Sequence, residues 1–153
     1  MRHEVKIDNI DIEILSELIN NARVSYRSLA NKLGVSVSTI HNRVEKLIKL
    51  GVIRGFTTIV DYSKLGYDVT AVILAKVDGK HLIDVEKEIA KHPNVCSVYD
   101  ITGEFDVAIV AKFHNISELN KFIKSILLHP HIQRTNTSIV FNVVKEDFRL
   151  RIP

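Results

Sequence analysis

The chain has no tryptophan and little cysteine, methionine, glutamine or proline: one, one, one and three among 153 residues. A lone Cys96 excludes an intrachain disulfide, and its place in an apolar strand-like run predicts a buried structural thiol in a cytosolic setting. No apolar run approaches eighteen residues, and no basic segment with an apolar h-region opens the chain, so neither a membrane span nor export is expected. The six glycines form no phosphate-cradling loop after a strand, and no Ser or Cys sits in a nucleophile motif. Catalytic residues and cofactors are therefore not expected. The scarcity of Gln, Cys and Met also goes with a hot-living source.

What is present is a soluble composition, 46% hydrophobic and 25% charged, enough for one domain or two small ones. The net charge of +3 hides a local excess. Residues 21–60 hold seven basic side chains (Arg23, Arg27, Lys32, Arg43, Lys46, Lys49, Arg54) against one acid, Glu45, whereas residues 61–153 carry twelve of each sign. That excess coincides with SYRSLANKLGVSVSTIHNRVEKLIKL, residues 25–50, which has the pattern of two short amphipathic helices joined at Gly34-Val35-Ser36. Ser25 and Ser36 stand at N-cap positions, and Gly34 suits a left-handed helix end. Tyr26, Leu29, Ala30 and Leu33 share one face of the first helix; Ile40, Val44, Leu47 and Ile48 form the stripe of the second.

The outward side of the second helix then carries Ser38, Thr39, Asn42, Lys46 and Lys49, flanked by His41 and Arg43. Donors and cations on such a face suit the major groove of double-stranded DNA. The expected contacts are Ser38, Thr39 and Asn42 to base edges and Arg27, Arg43, Lys46 and Arg54 to phosphates, with Tyr26, Ser36 and His41 completing the set. Arg43 also suits a structural bridge between helices. The plain alternative for the whole motif is a helical hairpin with a solvated cationic face.

Upstream, Asp8 and Asp11 mark the start of a third helix with Ile10, Ile14, Leu15, Leu18 and Ile19 inward. Downstream, Leu50-Gly51-Val52-Ile53 stops the second motif helix, and residues 54–60 predict a short wing strand. Expected boundaries are 1–54 for a helix-turn-helix domain, 55–68 for a strand and hinge linker, and 69–153 for a second domain. In that domain strands at 69–77, 95–101, 107–113 and 132–145 alternate with helices at 82–91 and 116–128. The order β-α-β-β-α-β predicts a ferredoxin-like sheet and an α+β fold overall. The two helices end alike, at His92-Pro93 and His129-Pro130. These histidines suit helix C-termini, and with no Cys or carboxylate at ligand spacing to them or His131, no metal site is expected.

The first strand has Val69, Ala71, Ile73, Ala75 and Val77 on one face and Val72 and Leu74 on the other. Two helices cover one side of a four-stranded sheet, so a second copy is expected to cover the other. A homodimer would place two recognition helices on a palindromic or near-palindromic site.

The chain resembles the Lrp/AsnC (feast/famine) regulators of bacteria and archaea along essentially its full length. The matching pieces are Ile7-Asp8-x-x-Asp11-x-x-Ile14-Leu15, Arg23-x-Ser25-x-x-x-Leu29-Ala30, Gly34-Val35-Ser36 with Arg43, and Leu50-Gly51-Val52-Ile53-x-Gly55. Thr102-Gly103-x-x-Asp106 and Thr135-x-Thr137 match in the second domain. The resemblance implies a transcriptional regulator whose second domain dimerises, assembles to a tetramer or octamer, and binds a small effector, typically an amino acid. Carried onto this sequence, the effector loop is Thr102, Gly103, Glu104, Phe105 and Asp106, joined by Thr135 and Thr137. Gly103 permits close backbone approach, and Glu104 or Asp106 suits an ammonium. A tight hairpin turn with strand threonines is the plain alternative. Two rival functions are a siroheme decarboxylase-like enzyme, using His114, His131 or Tyr99, and a non-specific chromatin-like DNA binder.

Overall fold

The computed structural model describes residues 6–152, which form two compact units. One runs to Ile59 and includes the segment from Glu146 onward; the other is Val60–Lys145. The expected second domain of 69–153 thus loses its last residues to the N-terminal unit.

The N-terminal unit holds α1 (Asn9–Asn20), α2 (Tyr26–Leu33) and α3 (Val37–Lys49). A reciprocal capping box opens α1: the Asp11 amide donates to Asp8 Oδ1 at 3.0 Å, and the Asp8 amide donates to Asp11 Oδ2 at 3.2 Å. Ser25 and Ser36 cap α2 and α3, their Oγ atoms accepting from the Ser28 and Thr39 amides. Gly34 ends α2 at φ +66°, a conformation costly for residues with a Cβ, and the chain reverses into α3 within three residues. Ile14, Leu29, Ala30, Ile40 and Val44 make the core between the helices. Complete burial of a Leu or Ile side chain contributes about 1.5–3 kcal/mol, so this small cluster is what holds the three helices together.

The second unit contains β1 (Val69–Val77), α4 (Leu82–Ile89), β2 (Val95–Asp100), β3 (Val107–Phe113), α5 (Ile116–Leu127) and β4 (Ile132–Ile139). The sheet order is β2-β3-β1-β4 with every pairing antiparallel, the expected ferredoxin-like topology. Ala71, Ile73 and Ala75 of β1 and Ile109 and Ala111 of β3 face Val85 and Ile89 of α4 and Leu119, Phe122 and Ile126 of α5. Thr70, Val72, Leu74 and Lys76 alternate onto the other face and stay half-buried.

Three expectations fail. Residues 54–60 form no strand because they find no ladder partner among the described residues, and β4 stops at Ile139 rather than Lys145, its pairing with β1 ending in the bond from the Val140 amide to the Thr70 carbonyl at 2.9 Å. Cys96 is exposed, since its edge strand β2 turns that side chain outward. No helix among the described residues is long and apolar enough to cross a membrane.

Candidate nucleic-acid interface and ligand loop

The geometry of α3 divides its polar residues into two groups. Arg43 and Lys46 turn toward the start of α1 rather than outward. Arg43 Nη1 is paired with Asp8 and lies 3.2 Å from Asp11 Oδ1, and Lys46 Nζ lies 2.6 Å from Asp11 Oδ2. The Asp11 side chain is wholly buried, so its charge is held by these two cations and the Asp8 amide. The Arg43 hydrogen bond, followed by that from the Asp11 amide, holds the Asp8 carboxyl below its ordinary pKa. For Asp11, burial pushes upward, but the hydrogen bonds from Lys46, the Asp8 amide and Arg43 outweigh it and the pKa is also lowered.

Of the remaining residues Ser36, Ser38, His41 and Asn42 are exposed and Thr39 is half-buried. At the N-terminus of α3, Ser36 Oγ lies 2.8 Å from both Ser38 Oγ and Thr39 Oγ1, forming a small hydroxyl cluster. Asn42 and His41 are exposed on the next turn, and the His41 ring meets the edge of Tyr26 with centroids 6.1 Å apart. Tyr26 itself is half-buried against the helical core. Lys32 pairs with Glu17 of α1 at 2.6 Å. Three of the seven motif cations thus meet α1 acids, while Arg23, Arg27, Lys49 and Arg54 make no ion pair among the described residues and stand exposed. The charge excess read from residues 21–60 overstated the outward field because the neutralising acids lie upstream of that window.

In the second unit Asp106 is a fastening residue. Its carboxylate accepts from the Val77 amide at 2.8 Å and from Lys76 Nζ at 2.9 Å, and its amide donates to the Ala75 carbonyl at 3.0 Å. Those bonds, the Val77 amide first, lower its pKa. Glu104 pairs with Arg134 of β4 at 2.6 Å, and the Arg134 guanidinium sits 4.9 Å from the Phe105 ring centroid. Thr102 and Gly103 are exposed, with Gly103 at φ +118° and open space where a Cβ would stand. Thr135 and Thr137 pair with Ala75 and Ile73 and so lie on the helix side of the sheet; neither hydrogen-bonds to loop 102–106. The Arg134 contact was missed from sequence because it spans thirty residues. Asp106→Ala should lower the melting temperature of the second unit, while Asp106→Asn, which keeps an acceptor for Val77, should lower it less. Differential scanning calorimetry checks the order.

The residues suggested for tetrapyrrole chemistry do not converge. Tyr99 is on edge strand β2, and His131 immediately precedes the opposite edge strand β4, three strand spacings or about 14 Å away. His114 instead binds the Gly66 carbonyl at 2.8 Å. One grouping goes against the expected spacing of metal ligands: Asp78 lies beside His81 and His131.

Comparison with known proteins accords with both units. The family model for a winged helix-turn-helix DNA-binding domain matches residues 7–54, and that for the Lrp/AsnC ligand binding domain matches residues 70–150. An uncharacterized HTH-type transcriptional regulator of Pyrococcus furiosus is 47% identical over 146 residues, 95% of this chain and 99% of the relative. The structure of Escherichia coli AsnC superposes with a TM-score of 0.84 at 34% identity, covering 95% of this chain and 99% of that one. A Neisseria meningitidis transcriptional regulator solved as an L-Met complex shares the fold, with a TM-score of 0.85 at 24% identity over 95% and 97% of the two chains. With a DNA-binding helix-turn-helix unit followed by a ligand-binding sheet, this chain is a transcriptional regulator and belongs to the Lrp/AsnC family.

Proposed function

We propose that the protein is a sequence-specific regulator, not an enzyme, acting in the cytoplasm as a homodimer or higher assembly on a near-palindromic DNA site and modulated by an amino acid. The observation that carries the DNA reading is the division of α3: Arg43 and Lys46 are held by Asp8 and Asp11, which leaves Ser38, Thr39, His41 and Asn42 presented outward. Ser38 and Asn42 then address base edges from the exposed first turns of α3, and Arg27, Lys49 and Arg54 address phosphates. Arg43 and Lys46 act chiefly by fixing the angle between α1 and α3.

The homodimer is supported by the half-buried Val72, Leu74 and Val110 on the sheet face opposite the helices. Exposed Phe56, Ile59, Phe141 and Val144 in the strandless segments add apolar surface for a second copy. For the effector, the matched ligand-binding domain and the exposed Thr102–Gly103 backbone support a carboxylate contact, with Glu104 or Arg134 released from their mutual pair to meet ligand charge. Thr135 and Thr137 make no hydrogen bond to that loop within one chain, in keeping with a site completed by a neighbouring copy.

A gel shift with the DNA upstream of its own gene, with and without a panel of amino acids including methionine, tests the reading. Asn42→Ala should cut discrimination between specific and scrambled DNA by about tenfold, the loss of one bidentate base contact. Arg27→Ala should weaken binding to both DNAs alike and reduce the salt slope by about one. Unaltered binding in both variants would remove α3 as the reading face, and equal affinity for all sequences would identify a non-specific binder.

A further inference from the structure

Asp78, His81 and His131 come from two chain segments fifty residues apart, yet one donor atom from each lies within 4.8 Å of the others. Asp78 and His81 occupy the turn between β1 and α4, and His131 precedes β4. The two segments are locked together by backbone, the Asp78 amide donating to the His131 carbonyl at 2.9 Å beside the Val77–Ile132 pairing of the sheet. Asp78 Oδ2 and His81 Nδ1 are 3.0 Å apart, and the His81 and His131 rings stack with centroids 3.5 Å apart and planes 5° from parallel. The half-buried His131 ring has no hydrogen-bond partner among the described residues.

We infer that Asp78, His81 and His131 form a binding site for a divalent transition-metal ion. Metal–ligand bonds of about 2.0–2.2 Å place adjacent donors roughly 3–3.5 Å apart. The Asp78–His81 pair already has that separation, and a His131 ring nitrogen lies within 4.8 Å of both. Because imidazole lone pairs lie in the ring plane, the stacked His131 ring has to rotate off His81 to complete the set. Two imidazoles and one carboxylate select Zn²⁺, Co²⁺ or Ni²⁺ over the all-oxygen preferences of Ca²⁺ and Mg²⁺. A capped turn accounts for Asp78, which accepts from the Lys80 amide at 3.3 Å, but not for the His131 ring, which packs between His81 and His129 with no hydrogen-bond partner among the described residues. His129 flanks the site: its Nδ1 accepts from the His131 amide at 3.2 Å and its Nε2 lies 3.3 Å from Glu88. Because Asp78 follows Val77, whose amide is held by Asp106, an ion here stiffens the end of β1 on which loop 102–106 rests.

Calorimetric titration of the tag-free, chelator-treated full chain with ZnCl₂ is expected to give one saturable ion per chain. Co²⁺ should give visible ligand-field bands that Zn²⁺ abolishes. His81→Ala and His131→Ala should each weaken Zn²⁺ by about tenfold or more, whereas His92→Ala should not. A long-range proton–nitrogen spectrum of the unmutated protein makes the test independent of variant folding, since Zn²⁺ should shift the ring nitrogens of His81 and His131 and leave those of His41, His92 and His114. Absence of saturable binding, shifts confined to other histidines, or full affinity in a folded His81→Ala/His131→Ala double variant would overturn the assignment.

Discussion

Asp11→Ala is expected to destabilise the N-terminal unit by about 2–3 kcal/mol and to weaken specific DNA binding, although the Asp11 side chain is wholly buried. Its buried carboxylate joins Lys46 at 2.6 Å, Arg43 at 3.2 Å and the Asp8 amide at 3.2 Å, so one substitution opens the capping box and the link from α1 to α3. The effect should lie below the 3–5 kcal/mol typical of breaking a fully buried pair. Here the surviving cations keep 29% and 37% exposure and rehydrate. Asp11→Asn, which retains an acceptor for the Asp8 amide but no charge, should fall between wild type and Asp11→Ala.

The same network sets a pH dependence. The folded-state pKa values of Asp8 and Asp11 lie below the ordinary 3.8, so their contribution is fully present above about pH 5 and is lost as pH falls through the depressed folded values. Thermal melts followed by circular dichroism should be flat from pH 5 to 7 and decline below pH 4. Asp11→Asn should lessen that decline. An Asp11→Ala protein with wild-type melting and DNA affinity would show that the network contributes nothing.

Leu74→Glu is expected to convert the proposed homodimer to monomers and to lower operator affinity by about a hundredfold or more, because two recognition helices linked in a dimer would bind with an effective concentration that separated ones lack. Leu74 faces away from α4 and α5, between Ala108 of β3 and Asn136 of β4. A carboxylate there leaves the helix-side core untouched but would be buried unpaired against a second copy. Sedimentation velocity and gel shifts on the same samples check both halves. A Leu74→Glu dimer with full affinity would remove this face from the interface.

Much of the architecture was legible in local pattern. Ser25, Ser36 and Gly34 punctuate α2 and α3 where their chemistry demands, and β1 and β3 begin and end at the expected residues. Period and capping act within a few residues, so a linear reading captures them. Segments 54–60 and 141–145 misled because β propensity was present without a partner strand. For the candidate site, the outward Ser38 and Asn42 followed from helical period, whereas the orientation of long cations did not. An arginine or lysine reaches several ångströms and settles on whichever carboxylate the fold brings near.

The helix-turn-helix core and the βαββαβ order therefore follow from residues close in sequence, whose periodicity, caps and β-branched runs act locally. Tertiary structure alone determined that Arg43 and Lys46 serve α1, that Asp106 fastens the end of β1 and that Asp78 meets His131. Each of these pairings spans about thirty to fifty residues, and electrostatic partners are selected by distance in space, which the chain sets only once its cores have packed.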